Sequence, residues 1–180
     1  MMKTMRRWEI DAIGRDRLAL RDAPVPSPGP NDVLVAVSAV ALNHRDKMVI
    51  ESGRGLPLQF PFTPGSDLAG TVVAIGSEVS RFSKGDRVIS SFMPDWIDGL
   101  RPGNARTAAY HTLGGYYPGV MADYVCMSQD WFVTAPNSLE AWQACTLTCA
   151  GVTAWFALVE RARVHAGDTV LGALQIIGRV

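Results

Sequence analysis

The sequence predicts a mainly β fold with peripheral helices, in the α+β class, with short strands closing on one another as a small barrel or sandwich. Three observations carry this. The stretch 61–90, PFTPGSDLAGTVVAIGSEVSRFSKGDRVIS, sets a rigid turn before a strand at 68–75, rich in β-branched residues, and a second turn before a return strand at 87–91. Residues 33–42, VLVAVSAVAL, are almost continuously apolar and read as a strand buried on both faces. Residues 4–10 and 17–22 read as an opening hairpin turning at Gly14-Arg15-Asp16. In the first of these stretches Pro61 and Pro64 fix φ, and Gly65 is free to take positive φ.

The segments between follow from local chemistry. Residues 23–30 lack an amide donor at four prolines and form an extended connector. Asn43 ends the long strand and caps a short helix over 44–51. Residues 92–118 form a long irregular segment, of a length that is usually functional or disordered. Its aromatics Phe92, Trp96, Tyr110, Tyr116 and Tyr117 either line a cleft or anchor the loop, with anchoring favoured for Trp96. His111 is an acid/base candidate, although with no partner identifiable in the sequence it reads as solvated. Residues 119–126 and 131–135 read as strands returning to the sheet.

Asn137 with Glu140 has capping-box character at a helix start. After a local break, 147–164 reads as a longer helix with Trp155, Leu158, Val159 and Ala162 on a core-facing side. Cys145 and Cys149, four apart, share a face if that helix is continuous, and read as small buried hydrophobes rather than a metal pair. Gly167 is placed as a helix C-cap, and 168–171 as a strand.

Composition bounds the function classes. With 180 residues, 48% hydrophobic and 19% charged, the chain reads as a soluble globular protein with a real core. A formal net charge of zero gives no electrostatic case for nucleic acid or an anionic membrane surface. The basic start has no apolar run behind it, and no stretch approaches ~20 consecutive apolar residues, so neither a secretory signal nor a membrane span is expected. Three scattered cysteines argue against a disulfide framework and for a reducing cytoplasm.

The motif PFTPGSDLAGTVVAIGSEV followed by FSKGDRV, with DVLVAVSAVALNHRD before it and GVMADYV and TLTCAGVTAWFALVE after it, covers most of 1–171. Together these resemble the N-terminal, GroES-like catalytic domain of the medium-chain dehydrogenase/reductase superfamily. The resemblance implies a GroES-like β-barrel over 1–136, then linking helices and an incomplete Rossmann start over 137–180. Asn43-His44-Arg45-Asp46 fits the Asn-x-x-Asp of zinc-free, quinone-oxidoreductase-like members, close to where nicotinamide and substrate meet. Zinc-type members place a metal-binding Cys where Asn43 stands, a proton-relay Ser or Thr where Arg45 stands, and Gly-His-Glu where Gly65-Ser66-Asp67 stands. They also carry four cysteines in the lobe corresponding to 92–118, which here has none. Ser66 is a poor substitute for an imidazole ligand. Asp67 could bind a metal in principle but reads as a cap or salt-bridge partner. Cys149 occupies a third zinc-ligand position as a relic.

The resemblance therefore implies an NADP(H)-dependent oxidoreductase without zinc, of alcohol dehydrogenase or quinone oxidoreductase type. Hydride would move between nicotinamide and a small carbonyl, quinone or enone. Asn43 and Asp46 are its catalytic candidates, and Asn43 and Thr153 its cofactor contacts. Read from residues alone, Asn43 is a helix cap and Thr153 a helical Thr bonded to the preceding turn. Near the end, Gly167, Gly172 and Gly178 do not have the G-x-G-x-x-G spacing of a pyrophosphate-binding turn. A truncated chain, inactive alone and binding no cofactor by itself, is thus expected. Self-association through residues 150–177 is expected too. The competing reading is a non-enzymatic, degenerate paralogue that serves as an interaction module or has no function.

Overall fold

Strand β3 (Asp32–Ala41) is the element on which the others assemble. In the computed structural model, which describes residues 4–96, 98–99 and 111–170, it lies inside a five-stranded antiparallel sheet. The strand order is β6-β3-β4-β5-β7, with β4 (Asp67–Ile75), β5 (Arg87–Ser90), β6 (Tyr124–Ser128) and β7 (Phe132–Thr134). A separate hairpin pairs β1 (Thr4–Ile10) with β2 (Leu18–Pro24) in register from Thr4↔Pro24 to Ile10↔Leu18. Among the described residues no single helix is long and apolar enough to cross a membrane.

The two-residue period of a strand decides which side chains go where. Leu68, Val72 and Val88 point to one face and join Val33, Val35, Leu113, Val125 and Phe132 in the main core. Ala69 and Ile89, one residue out of phase, point to the other face, where Ala144 and Cys145 cover them. Each buried Val, Leu or Phe contributes roughly 1.5–3 kcal/mol, so this two-sided burial holds the sheet in register. A third cluster, Ile10, Val49, Ile50 and Phe62, pins helix α1 (His44–Ser52) to the hairpin. Ile10 and Phe62 also exchange backbone hydrogen bonds of 2.9 Å in both directions.

Gly65 adopts φ 88 in the turn before β4, the conformation its motif requires, and Gly114 (φ 62) packs against its backbone. The Ser83–Asp86 turn closes with Asp86 accepting the Ser83 N–H at 2.8 Å.

Several expectations need correction. Burial of β3 on both faces holds for Val33, Leu34 and Val35 only; beyond them the strand is mostly half-buried, because β6 pairs with Asp32–Ala36 alone. Residues 119–123 are not strand. Gly119 and Val120 donate to the 63–65 turn instead of a ladder, which leaves β6 to start at Tyr124. The helix anticipated at Asn137 begins at Ala141. Pro136 and Leu139 close a turn first, and Glu140 with Gln143 forms the capping box of α2 (Ala141–Ala144).

The long helix over 147–164 is in pieces, α3 (Ala150–Trp155) followed by a wider π-helical turn over Phe156–Arg161. Cys145 lies in a short 3-10 turn (Cys145–Leu147) and Cys149 is the N-cap of α3, so the two are not on one continuous helix. Trp155, 63% exposed, with Leu158 and Val159 also on the surface, does not pack into the core formed by the described residues. Gly167 is not the C-cap, since the helical turns end at Arg161 and Arg163 takes the positive φ of 52. Residues 168–170 are not strand, and 171–180 lie outside the described residues.

Candidate functional site

The N-terminus of α1 supplies the first two candidates. Asn43 stands at the N-cap, where Asp46 Oδ2 accepts its backbone N–H at 2.7 Å and the Asp46 N–H reaches the Asn43 carbonyl at 2.9 Å. Together they close a capping box, and a carboxylate in the first turn suits the helix dipole. The Asn43 carboxamide points away from the helix. Its Nδ2 donates to Asp67 Oδ2 at 3.0 Å and to Ser66 Oγ at 3.4 Å. The capping role and the site role thus coexist, one made by the backbone and the other by the side chain.

Asp67 opens β4 and has no exposed surface. Ser66 Oγ donates to its Oδ1 at 2.5 Å, and the backbone of Cys149 lies close enough to favour its charged form. Ser90 braces this corner: its hydroxyl donates to the Ser66 carbonyl at 2.8 Å and accepts the Leu68 N–H at 3.0 Å. Thr148 Oγ1 then donates to the Ser90 carbonyl at 3.0 Å, tying the 145–149 segment to β5. Asn43, Ser66 and Cys149, separated by up to 106 positions of sequence, converge on one buried carboxylate. The reading of Asp67 as a cap or salt-bridge partner is corrected: it makes no ion pair among the described residues.

Burial pushes the Asp67 carboxyl above the ordinary carboxylate range, and the bonds from Ser66 and Asn43 and the nearby Cys149 backbone oppose that rise. Asp46, 3% exposed, is raised for the same reason, and its Oδ1 has no hydrogen-bond partner. Burial raises the Cys149 thiol, and the Asp67 and Asp46 charges raise it further. Arg45 is the nearby cation. Its guanidinium, lowered by burial, donates to Thr112 Oγ1, to the Leu113 carbonyl at 3.3 Å and to the Gly114 carbonyl at 3.5 Å.

Two cavities flank this cluster. One of about 400 Å³ is lined by Ser91, Phe92, Trp96, Val133, Cys149 and Thr153. That volume lies within the usual range of small-molecule sites, and the walls are largely apolar. A smaller one of about 220 Å³ is lined by Leu18, Leu42, Asn43, Asp46, Lys47 and Met121. Thr153 donates its backbone N–H to the Cys149 carbonyl at 3.0 Å, as a residue one helical turn on should, and stands exposed at the mouth of the larger cavity.

Of the loop aromatics, Phe92 and Trp96 line the larger cavity. Trp96 also donates its indole N–H to Gly99 at 3.1 Å, so it both anchors and lines. Tyr116 and Tyr117 sit apart with His111. His111 does have a partner: Asp95 Oδ2 lies 3.3 Å from its Nδ1, and the ring stacks on Tyr116 at 3.9 Å. Tyr117 donates to the same Asp95 oxygen, and this bond is the main reason its phenol is pushed up to about 12. Tyr110 lies outside the described residues. Sequence reasoning missed the bracing by Ser90 and Thr148, which leaves no local signal, and the Arg45 contacts, whose acceptors lie 67–69 residues away.

For a metal, the donors at this corner are a carboxamide, a hydroxyl and a thiol held above its usual range, the first two already engaged with Asp67. Among the described residues no group of three or more His, Cys, Asp or Glu side chains could hold a metal ion.

Comparison with known proteins agrees with this architecture. The alcohol dehydrogenase GroES-like domain family matches residues 29–137. A zinc-type alcohol dehydrogenase-like protein of Schizosaccharomyces pombe is 37% identical over 161 residues, 88% of this chain and 46% of that protein. A chloroplastic quinone oxidoreductase of Triphysaria versicolor is 32% identical over 88% of this chain and 43% of its own length. Among solved structures, a Sinorhizobium meliloti protein assigned as an alcohol dehydrogenase superposes with a TM-score of 0.89 at 54% identity, over 93% of this chain and 49% of that one. The chain thus spans about half the length of the relatives it matches. With the GroES-like fold and the family match in agreement, the chain belongs to the medium-chain dehydrogenase/reductase superfamily, through its alcohol dehydrogenase GroES-like domain.

Proposed function

We propose that this chain carries the catalytic-domain side of the cleft of a zinc-free, NADP(H)-dependent oxidoreductase that acts on a small carbonyl, quinone or enone. The observation behind the zinc-free reading is the mutual hydrogen bonding of Asn43, Ser66 and Asp67, which engages two of the three positions that the resemblance to zinc-type members matches to metal ligands. The larger cavity fits the nicotinamide end of the cofactor: its apolar walls suit a planar ring, and Thr153 stands at its mouth. We place the division between the catalytic unit and the segment leading towards a nucleotide-binding domain at residues 136/137.

The bound nicotinamide supplies hydride chemistry, and the protein supplies orientation and an apolar wall. Phe92, Trp96 and Val133 supply apolar surface beside the reacting face. Asn43 fixes the Asp67 carboxylate, and Thr153 packs beside the ring. Asp46, whose carboxyl burial raises above the ordinary carboxylate range, has an oxygen with no other partner and lines the smaller cavity, where it can take or give a proton.

A chimera tests this reading, with residues 1–162 of this chain replacing the matching half of the Sinorhizobium meliloti relative. The expected result is NADPH oxidation by quinones or enones that survives chelation, with Asn43→Ala and Asp46→Asn each lowering kcat at least about tenfold. A chimera that folds and binds NADPH, yet turns over no quinone, enone, aldehyde or alcohol, overturns it. The 180-residue polypeptide alone is expected to show no saturable NADPH binding up to millimolar concentration, because its terminal glycines lack the pyrophosphate-turn spacing.

A further inference from the structure

We propose that Arg45 is a positioning residue of the cleft: by clamping the 112–115 turn and the Phe92 ring onto α1, it sets the width open to the organic group of the substrate. The clamp stands on geometry alone, and only what enters the cleft rests on the oxidoreductase reading. Arg45 is the second residue of α1, directly between the site residues Asn43 and Asp46 and half-buried. Its donors go to Thr112 Oγ1 and the carbonyls of Leu113 and Gly114, all three on a buried turn.

The turn is shaped to receive it. A methyl group at Gly115 would strike Arg45 Nη2, and one at Gly114 would strike the Gly65 backbone. The turn and Arg45 then each hold Phe92. The Leu113 N–H donates to the Phe92 carbonyl at 3.2 Å, and the guanidinium lies 5.6 Å from the centre of the Phe92 ring. Phe92 is a wall of the larger cavity, so an unbroken set of contacts runs from α1 through Arg45 to the cleft.

An alternative role is charge compensation for Asp46 and Asp67. Yet Arg45 makes no ion pair with either among the described residues, and its hydrogen bonds go to neutral oxygens. A planar fork that reaches several acceptors while its face packs on a ring is what arginine does and lysine does not.

Cys149, in the same cavity, reports the width. The rates of its alkylation by N-methylmaleimide and by N-pyrenylmaleimide, followed by peptide mass spectrometry, give a size-discrimination ratio. Both reagents use the same thiolate, so a change in thiol ionisation cancels in the ratio. The expected result is a ratio that favours the small reagent in the wild-type chain and falls roughly tenfold in Arg45→Lys and in Gly115→Ala. Arg45→Met should lose the ratio and also slow both reagents, because it removes the charge that favours the thiolate. If Arg45→Met does not fold, Arg45→Lys, which keeps the charge and the stem, carries the test. An unchanged ratio in folded Arg45→Lys and Gly115→Ala overturns the clamp. A chimera without turnover whose Arg45→Lys form still loses the discrimination removes the oxidoreductase reading and leaves the clamp. Turnover with an unchanged ratio does the reverse.

Discussion

Replacing Asn43 by Ala removes one donor from a carboxylate that has no exposed surface. Asp67 keeps the bond from Ser66 Oγ and loses the 3.0 Å bond from Asn43 Nδ2. A hydrogen bond to a charged acceptor is worth about 1.5–3 kcal/mol, and no solvent reaches Asp67 to replace it. The backbone half of the α1 cap survives the change, because Asp46 accepts the Asn43 backbone N–H and not its side chain. We therefore expect a loss of about 2 kcal/mol at pH 8, which for a protein of this size lowers Tm by about 4–8 °C.

The pH dependence separates this from a simple packing defect. The Asp67 carboxyl is raised above its ordinary value of 3.8, because burial penalises its charged form relative to water. The stability that goes with the neutral form is complete below 3.8 and is lost as pH rises through the folded value. Removing Asn43 moves that folded value up again, because one bond opposing the rise is gone. The cost of Asn43→Ala should thus be small near the ordinary carboxylate value and grow towards pH 8. Thermal melts of both proteins across that range read this directly, and Asp67→Asn in the Asn43→Ala background should flatten the dependence. A cost that is the same at both ends of the range, or a Tm shift below about 1 °C at pH 8, refutes the account of Asp67 as a held, titrating carboxyl.

Three further outcomes are expected. The purified chain should hold no stoichiometric zinc, and elemental analysis that finds one zinc per chain after dialysis contradicts this. Cys149 should alkylate slowly at neutral pH, and Asp67→Asn should speed it by roughly three- to tenfold, since removing a nearby negative charge lowers the thiol pKa; an unchanged rate means the two groups do not interact. The exposed Val152, Trp155, Phe156 and Val159 should drive self-association that Trp155→Asp weakens. Light scattering that shows a monomer at all concentrations counts against it.

The strands with local signals were legible. The turn glycine Gly65, the β-branched run of β4 and the cap at Asn43 all follow from nearby residues. What failed depends on partners far along the chain. Residues 119–123 have strand-like alternation, but the prolyl turn at 63–65 offers carbonyls to Gly119 and Val120 before a ladder can form. The helical period over 147–164 is real in the sequence. Its continuity is not, because Thr148 turns its hydroxyl to the Ser90 carbonyl of β5, 58 residues away. The same holds for the site. Asn43 and Asp46 announce themselves as a capping pair, whereas nothing near Asp67 in sequence says that three segments will enclose it.

That enclosure bears on whether this corner could take a metal. A cation at Asn43, Ser66 and Cys149 would have to displace the bonds from Asn43 and Ser66 to Asp67, and each hydrogen bond to a charged acceptor is worth about 1.5–3 kcal/mol. It would also have to deprotonate a thiol that burial and two carboxylates hold above its usual range. Changing one residue therefore gains little: Ser66→His alone supplies an imidazole but leaves a carboxamide opposite it and the thiol protonated. Asn43→Cys/Ser66→His supplies two strong donors at once and a cation that lowers the pKa of the third, Cys149. The double variant is expected to bind cobalt(II) with the intense visible and thiolate charge-transfer bands of a tetrahedral sulfur site, and each single variant to bind it weakly or not at all. Loss of those bands on adding Cys149→Ala would place the third ligand. A double variant that folds and shows no such bands would mean that the Cys149 thiol does not converge with positions 43 and 66, whose side chains meet at Asp67.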